Sequence, residues 1–223
     1  MPKAFGTFTL AKWTNAQSSY KMNTALEEVL ALMQTMETRP LHVTHVTNLA
    51  LQLFDGLSSL HGLGERERVL LEAAGYLHDI GHQFDYLGTG HHKESARLIR
   101  EHPWKNFSAE EVKIVALVAR YHRKGMPEPE DPHFAELPGS QRRIVQCLAA
   151  LLRLADSLDR NHEQFVTRIK TDIFPNQLVF HLEITGPVLR EVSTAQKKGD
   201  LARAVFQRDL VFMAGDELIK AQP

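Results

Sequence analysis

Histidine and aspartate side chains that can bind metal ions recur at the predicted ends and inward faces of helices. Twelve of the 223 residues are histidines, and the imidazole ring is the commonest metal ligand in proteins. Divalent ions accept imidazole nitrogen and carboxylate oxygen, and the facing helices of a bundle can supply both. The pattern predicts a site for one or two divalent ions, such as Mn²⁺, Fe or Mg²⁺, with the candidate ligands His42, His78, Asp79, His91, His122 and Asp156.

The phase of the second predicted helix distinguishes two neighbouring histidines. Its apolar stripe consists of Val46, Leu49, Ala50, Leu53 and Leu57. At roughly 100° per residue, His42 lies at the edge of this stripe nearest its centre line, whereas His45 lies further towards solvent.

In the third predicted helix, His78 and Asp79 differ by about 100° around the helix axis. At a frayed helix end both can still reach one site, and a carboxylate can bridge two ions.

Six helices are predicted to position these side chains. Capping boxes begin two of them, at Thr24–Glu27 and Ser108–Glu111, and Pro40 suits the first turn of another. Residues 124–139 contain four prolines and are predicted to form a loop. The predicted helices cover about 24–36, 40–60, 65–80, 91–102, 108–122 and 141–160.

The texture of the sequence changes after residue 164. Residues 165–173 and 178–184 alternate between apolar and polar side chains, which predicts two strands. One or two polar helices and a last strand near 217–220 are predicted to follow. The expected fold class is therefore mainly α, with a small α+β tail. The expected organisation is a mobile N-terminal arm at 1–21, a helical domain at 22–164 and an α+β appendage at 165–223.

Composition limits the compartment and the classes of partner. A net charge of −1 gives no reason to expect nucleic acid or an anionic membrane surface as a partner. No apolar run approaches the ~20 residues of a membrane span, and the first residues make a poor secretory signal. Cys147 is the single cysteine, and its apolar neighbours predict an inert buried thiol. These features favour a cytoplasmic protein.

The order of the candidate ligands resembles the signature of the HD superfamily, a group of helical metal-dependent phosphohydrolases. The phrase His42-Val-Thr-His-Val46 is similar to the first motif of that superfamily, in which the ligand histidine precedes an apolar residue by one helical turn. This register favours His42 over His45, in agreement with the helix phase. The phrase Leu77-His-Asp-Ile-Gly81 is similar to the second motif.

More specifically, the chain from about residue 22 to its end resembles the C-terminal HD region of the exopolyphosphatase and guanosine-pentaphosphate phosphohydrolase family. The phrases that carry this resemblance are Leu49–Asp55, Leu77–His82, Gly90–Ala96, Arg120–Arg123 and Leu152–Arg160. The phosphatase activity of that family resides in an N-terminal actin-like domain, which we do not expect in this sequence. The resemblance therefore implies an HD-type helical bundle and phosphate-bearing ligands, but it does not transfer a substrate.

The resemblance implies a metal-dependent phosphohydrolase that acts on a phosphate ester or anhydride of the nucleotide, alarmone or polyphosphate class. Asp79 and His82 are the expected catalytic residues. His82 would protonate the leaving group or, alternatively, support a carboxylate ligand. Likeness to the two-metal members favours His91 over His92 as a ligand. A one-ion site would retain His42, His78, Asp79 and Asp156.

Basic side chains close to the ligands in the sequence suit phosphate oxygens, although each is otherwise a solvated surface charge. They are Lys93, Arg120, Arg123 and Arg160. Two other functions remain open. One is a non-catalytic regulatory HD module that binds polyanions or forms a homodimer. The other is a di-iron oxygenase, because some HD proteins use a histidine-rich two-iron site for oxidation.

Overall fold

A computed structural model describes residues 24–85 and 90–219. The arm predicted at 1–21 lies outside the described residues. Within them, the helices are α1 (24–36), α2 (Pro40–Gly56), α3 (Ser58–His61), α4 (Glu65–Leu77), α5 (His91–Glu101), α6 (Ala109–Tyr121), α7 (Pro132–Ala135), α8 (Gly139–Ser157), α9 (Leu189–Lys198) and α10 (Asp200–Phe206). The strands are β1 (Val166–Ile173), β2 (Gln177–Ile184), β3 (Asp209–Ala214) and β4 (Glu217–Leu218). The fold is mainly α with a small α+β tail, which confirms the predicted class.

Local signals explain where two of the central helices begin. Pro40 occupies the first turn of α2, where its missing N–H is not needed. The Ser108 side chain accepts a hydrogen bond from the Glu111 amide, and the Glu111 carboxylate accepts one from the Ser108 amide. This capping box satisfies two amides that have no partner inside a helix.

The second predicted helix ends earlier than expected. It stops at Gly56 rather than near residue 60, and α3 forms a separate turn. Strand β1 packs against α2 at this point, and a Cβ atom on Gly56 would lie 3.1 Å from Thr171 Oγ1. The break thus occurs at a tertiary contact that helical periodicity does not reveal.

The helices that were predicted to include Asp79 and Asp156 also end before their predicted limits, and Asp79 lies beyond the end of α4. The chain leaves α4 after Leu77 and makes a turn and a short 3₁₀ helix, His82–Phe84. In the same way α8 ends at Ser157 instead of Arg160. The loop predicted at 124–139 contains the short helix α7, whose first turn is capped by the Asp131 side chain.

The core lies between α2, α4, α6 and α8, which pack against one another. The predicted stripe of α2 is buried, and residues 148–152 of α8 are fully inaccessible. Burying apolar surface of this kind stabilises a fold by roughly 25 cal/mol per Å². None of the helices in the described ranges is long and apolar enough to cross a membrane.

The tail is a sheet with strand order β1-β2-β3-β4, and it packs onto the helices. The β1–β2 and β3–β4 pairs are antiparallel, and the β2–β3 pair is parallel. Helices α9 and α10 connect β2 to β3 and both contact α8. The strand expected near 217–220 is β4, but β3 was not expected. The boundary at 164–165 stays a prediction.

Helices α2 and α4 approach closely at one glycine. A Cβ atom on Gly75 would lie 2.5 Å from Thr47 Oγ1 and 3.2 Å from Thr47 Cα. Thr47 is fully buried and its hydroxyl donates to the Val43 carbonyl. Because the backbone of Thr47 and its hydrogen-bonded side chain fill this space, only glycine at position 75 allows the two helices to pack at this distance.

We predict that Gly75→Ala lowers the free energy of unfolding by about 1–3 kcal/mol through overpacking. Gly139→Ala is the matched control, because a Cβ atom on Gly139 meets nothing within 4 Å. The control variant should be unchanged or up to about 1 kcal/mol more stable. Urea denaturation measures both, and equal midpoints for Gly75→Ala and wild type would contradict the prediction.

Cys147 is shielded from reagents in the folded chain. Its side chain is buried, and burial raises the pKa of the thiol to about 12. Because the thiolate is the reactive form, we expect the native protein at pH 8 to react with iodoacetamide far more slowly than the urea-unfolded chain. Mass spectrometry of timed samples measures the difference, and equal rates would show that the thiol is accessible.

Candidate metal centre

The carboxylate of Asp79 lies at the centre of a group of imidazole rings. The Asp79 residue is 4% exposed and follows the end of α4 directly. Five histidine Nε2 atoms lie 3.4–3.9 Å from its two oxygens, and they belong to His42, His78, His82, His91 and His122. Arg39 Nη2 donates to Asp79 Oδ2 at 2.8 Å.

These spacings suit atoms that share a metal ion. Two ligand atoms that each lie about 2.0–2.2 Å from one ion are separated by about 3.0–3.5 Å. Two groups of three ligand atoms lie within 4.8 Å of one another, and both contain Asp79. The first group adds His42 and His78, and the second adds His82 and His91. Asp79 thus belongs to both groups of candidate ligand atoms.

Backbone carbonyls orient two of the histidines. The Nδ1 atom of His78 lies 2.7 Å from the Gly75 carbonyl, and that of His122 lies 2.6 Å from the Ala119 carbonyl. A carbonyl only accepts, so each Nδ1 carries the hydrogen and each Nε2 presents a lone pair. The His78 Nε2 atom is buried and has no hydrogen-bond partner among the described residues. A divalent cation would satisfy this lone pair, so the residues present fit the ion that the sequence predicts.

The carboxylate of Asp159 pairs with the Nδ1 atom of His42, which is the ring nitrogen that does not face Asp79. His42 Nδ1 lies 2.8 Å from Asp159 Oδ2, and Asp159 is 1% exposed. On its other side, His42 Nε2 lies 3.6 Å from Asp156 Oδ1. Burial lowers the pKa of His42, but the carboxylates of Asp156 and Asp159 raise it by more than burial lowers it. The net effect is a pKa of about 9. This carboxylate–histidine arrangement is one that orients metal ligands.

Burial favours the neutral form of two further rings, those of His91 and His122. Burial is the main cause that lowers the pKa of His91 to about 4 and holds the pKa of His122 well below its usual range. Burial also lowers the pKa of His82. For Asp79 burial acts to raise the pKa, but attraction to the protonated forms of neighbouring histidines, His78 first, outweighs burial and lowers the pKa overall. Neutral imidazole beside ionised carboxylate is the state that binds a divalent ion.

The structure separates the two adjacent histidines of α5. His91 Nε2 lies 3.4 Å from Asp79 Oδ1. His92 instead lines a neighbouring cavity of about 460 Å³ together with Lys93 and Arg120. Arg120 there donates to Asp131 at 2.7 Å. The predicted phosphate-binding role of Lys93 and Arg120 stays a prediction, and it now concerns this neighbouring cavity.

A cavity of about 230 Å³ opens over the ligands, and we call it the histidine cavity. Of the four basic residues predicted to bind phosphate, Arg123 and Arg160 line it. Arg123 Nη1 lies 3.4 Å from His91 Nδ1. The full lining comprises Arg39, His42, Asp79, His82, His91, His122, Arg123, Asp156, Arg160, His162 and Lys198. Four cationic side chains and two carboxylates, those of Asp79 and Asp156, thus face one space.

Four residues at the site were not predicted. Arg39 and Asp159 pair with Asp79 and His42, and the His162 ring stacks on that of His42 at 3.9 Å. Lys198, at the end of α9, contacts Asp156. Asp159 lies within the phrase Leu152–Arg160, which is the signal that could have revealed it. Nothing in the local sequence marks Lys198.

We predict that Asp159→Asn weakens Mn²⁺ binding by about 10–100-fold, because His42 loses the carboxylate that orients it. Asp172→Asn is the matched control. It removes the carboxylate of an exposed pair in the sheet, in which His181 Nε2 lies 2.9 Å from Asp172 Oδ2. Isothermal titration with Mn²⁺ measures both variants, and equal affinities for Asp159→Asn and wild type would contradict the assignment.

Comparison with known proteins agrees with the architecture. The chain is 27% identical over 164 residues to a guanosine-5'-triphosphate,3'-diphosphate pyrophosphatase of Pseudoalteromonas translucida (strain TAC 125). The aligned part is 69% of this chain and 31% of the relative, so the chain spans about a third of the relative's length. Residues 27–200 match the family model for domain III of the Ppx/GppA phosphatases. Since this match covers most of the chain, the protein belongs to the Ppx/GppA phosphatase domain III family.

Proposed function

We propose that the chain is an HD-type, divalent-metal-dependent phosphohydrolase. The observation that carries this proposal is the buried Asp79 carboxylate, which five imidazole Nε2 atoms face at 3.4–3.9 Å below a cavity lined by cationic side chains. A structural metal site is usually closed by its protein ligands, whereas a catalytic site keeps a position open for water or substrate. The histidine cavity provides such an open side.

The ligands divide naturally between two ions. His42, His78, Asp79 and Asp156 would hold one ion, and Asp79 with His91 and His122 would hold the other. His82 lies 3.5 Å from Asp79 Oδ2 and is grouped with His91, so it offers a further ligand atom to the second ion. Burial lowers the pKa of His82, which favours the neutral ring that a ligand or proton acceptor needs.

The chemistry is phosphoryl transfer to water. A divalent ion held by Asp79 and the surrounding histidines would supply Lewis acidity, which would lower the pKa of a water molecule and offset charge that develops on the phosphate. Arg39, Arg123 and Arg160 line the cavity with guanidinium groups that match phosphate oxygens. Arg39 is already held by its hydrogen bond to Asp79, so its charge can stabilise a transition state without reorganising.

The substrate class follows from the charges of the cavity and from the family. We propose a phosphate ester or anhydride, as found in nucleotides, alarmones and polyphosphate. The name of the curated relative refers to guanosine 5'-triphosphate 3'-diphosphate, but the aligned part of this chain corresponds to less than a third of that protein. The relative supports the phosphate class and leaves the individual compound to experiment.

We expect the protein, purified without chelator, to contain one or two transition-metal ions per chain and to release phosphate from at least one compound of this class. Asp79→Asn should lose the metal and at least about 99% of the activity while keeping its helical content. Arg123→Ala should keep the metal but lose about tenfold or more in turnover, because a charged hydrogen bond to phosphate is removed. Elemental analysis, circular dichroism and a phosphate-release assay measure these effects.

Arg97→Ala is the matched control for Arg123→Ala. Arg97 lies on the exposed side of α5 and pairs with Glu94 and Glu101, so its loss should leave turnover unchanged. A wild type that binds metal and polyphosphate but hydrolyses nothing in the presence of Mn²⁺, Fe²⁺ or Mg²⁺ would favour the regulatory module. Stoichiometric iron together with oxygen uptake would favour the oxygenase.

A further inference from the structure

The C-terminal appendage places a lysine at the metal centre. Lys198 is the last residue of α9, and its Nζ lies 3.1 Å from Asp156 Oδ2. The other oxygen of the same carboxylate, Oδ1, faces His42 Nε2 at 3.6 Å. One oxygen of Asp156 thus faces the metal ligands, and the other faces an ammonium group. The Lys198 side chain is 23% exposed and lines the histidine cavity.

The position of Lys198 is held by a second contact a few residues further along. Arg153 is 1% exposed, and its guanidinium donates to the Asp200 carboxylate at 2.9 Å. The same guanidinium donates to the carbonyls of Tyr121 and Gly125. Tyr121 is the residue before the candidate ligand His122. The turn between α9 and α10 is therefore tied to the end of α6 as well as to Asp156.

The ammonium group of Lys198 has N–H donors that its contact with Asp156 does not use. Lys198 carries three, and the hydrogen bond to Asp156 uses one of them. The Oδ2 atom of Asp156 accepts from Lys198, and Oδ1, which faces His42, is the oxygen that would contribute to an ion site. The protons that remain are at the cavity wall, where Arg39, Arg123 and Arg160 also contribute positive charge.

We propose that Lys198 binds the phosphoryl group of the substrate while it holds the outer oxygen of Asp156, so that the appendage completes the active site. This inference rests on the proposed function and deepens it. The ligand is a phosphate dianion on the metal-loaded site. Lys198 is a substrate-binding residue in this assignment, and it does not coordinate the ion. Its positive charge also repels a divalent cation, which tempers the affinity of the site for metal.

The test uses the full chain and three variants. Lys198→Met removes the charge at nearly constant length, and Lys198→Arg restores a cation. Lys197→Met is the matched control, because Lys197 is the exposed neighbour on the same helix. Titration with Mn²⁺ gives the metal affinity, and titration of the Mn²⁺-loaded protein with inorganic phosphate gives the anion affinity. Thermal melting and circular dichroism report whether each variant is folded.

We expect Lys198→Met to bind phosphate about tenfold or more weakly, with Mn²⁺ affinity unchanged or tighter. Lys198→Arg should stay within about threefold of wild type for phosphate, and Lys197→Met should match wild type in both titrations. Unchanged phosphate affinity in Lys198→Met would overturn the inference. Weaker Mn²⁺ binding in a folded Lys198→Met protein would also overturn it, since the lysine would then be a structural support for Asp156.

The experiment distinguishes failure of the proposed phosphohydrolase function from failure of the proposed role of Lys198. A wild-type protein that binds no Mn²⁺ removes the proposed function, and this inference falls with it. A wild-type protein that binds both Mn²⁺ and phosphate, beside a Lys198→Met variant with the same two affinities, removes the inference alone.

Discussion

The rest of the structure depends on the compensation of one buried negative charge. An ionised carboxylate that is taken out of water costs several kcal/mol unless charges and hydrogen bonds compensate it. Asp79 is 4% exposed, Arg39 pairs with it from the residue before α2, and histidine rings from α2, the 3₁₀ helix, α5 and the end of α6 face it. Four segments must therefore converge on a single carboxylate, and the order of the helices in the bundle satisfies this requirement.

These segments can meet at Asp79 only if their backbones approach more closely than a side chain larger than that of glycine would allow. Gly75 lets α2 and α4 touch at Thr47, three residues before His78. A Cβ atom on Gly81 would lie 2.4 Å from the His91 carbonyl and 2.5 Å from the Ser95 amide nitrogen, so α5 rests directly on the turn that follows Asp79. The Ser95 hydroxyl accepts a hydrogen bond from the Gly81 amide at this contact. These contacts set the distances between ligand atoms, because the rings are attached to backbone that cannot move apart.

The sequence allowed the helical bundle and the histidines around Asp79 to be identified, because helix phase and motif order both act over a few residues. It could not assign Lys93 and Arg120 to a cavity. Successive residues on a helix differ by about 100°, so closeness to His91 or His122 in the chain does not place a side chain on the same side. Strand β3 was not predicted because the residue in left-handed conformation before it is Gln207, and not the glycine that usually marks such a turn. Lys198 and Asp159 reach the site through tertiary contacts alone, and Asp159 lies 117 residues from its partner His42.

The separation of His42 from Asp159 has a consequence for biosynthesis. During translation, a nascent chain that has exposed α2, α4, α5 and α6 still lacks α8, which carries Asp156 and ends just before Asp159. Loop closure over such a distance is entropically costly and slow, and a growing chain cannot begin it until the late segment has left the ribosome. Turn 198–200, which ties down α6 and Asp156, emerges later still. Histidines that are made early thus lack Asp156 and Asp159, and an ion site that uses all of these residues would form only after residues 156–159 have been made.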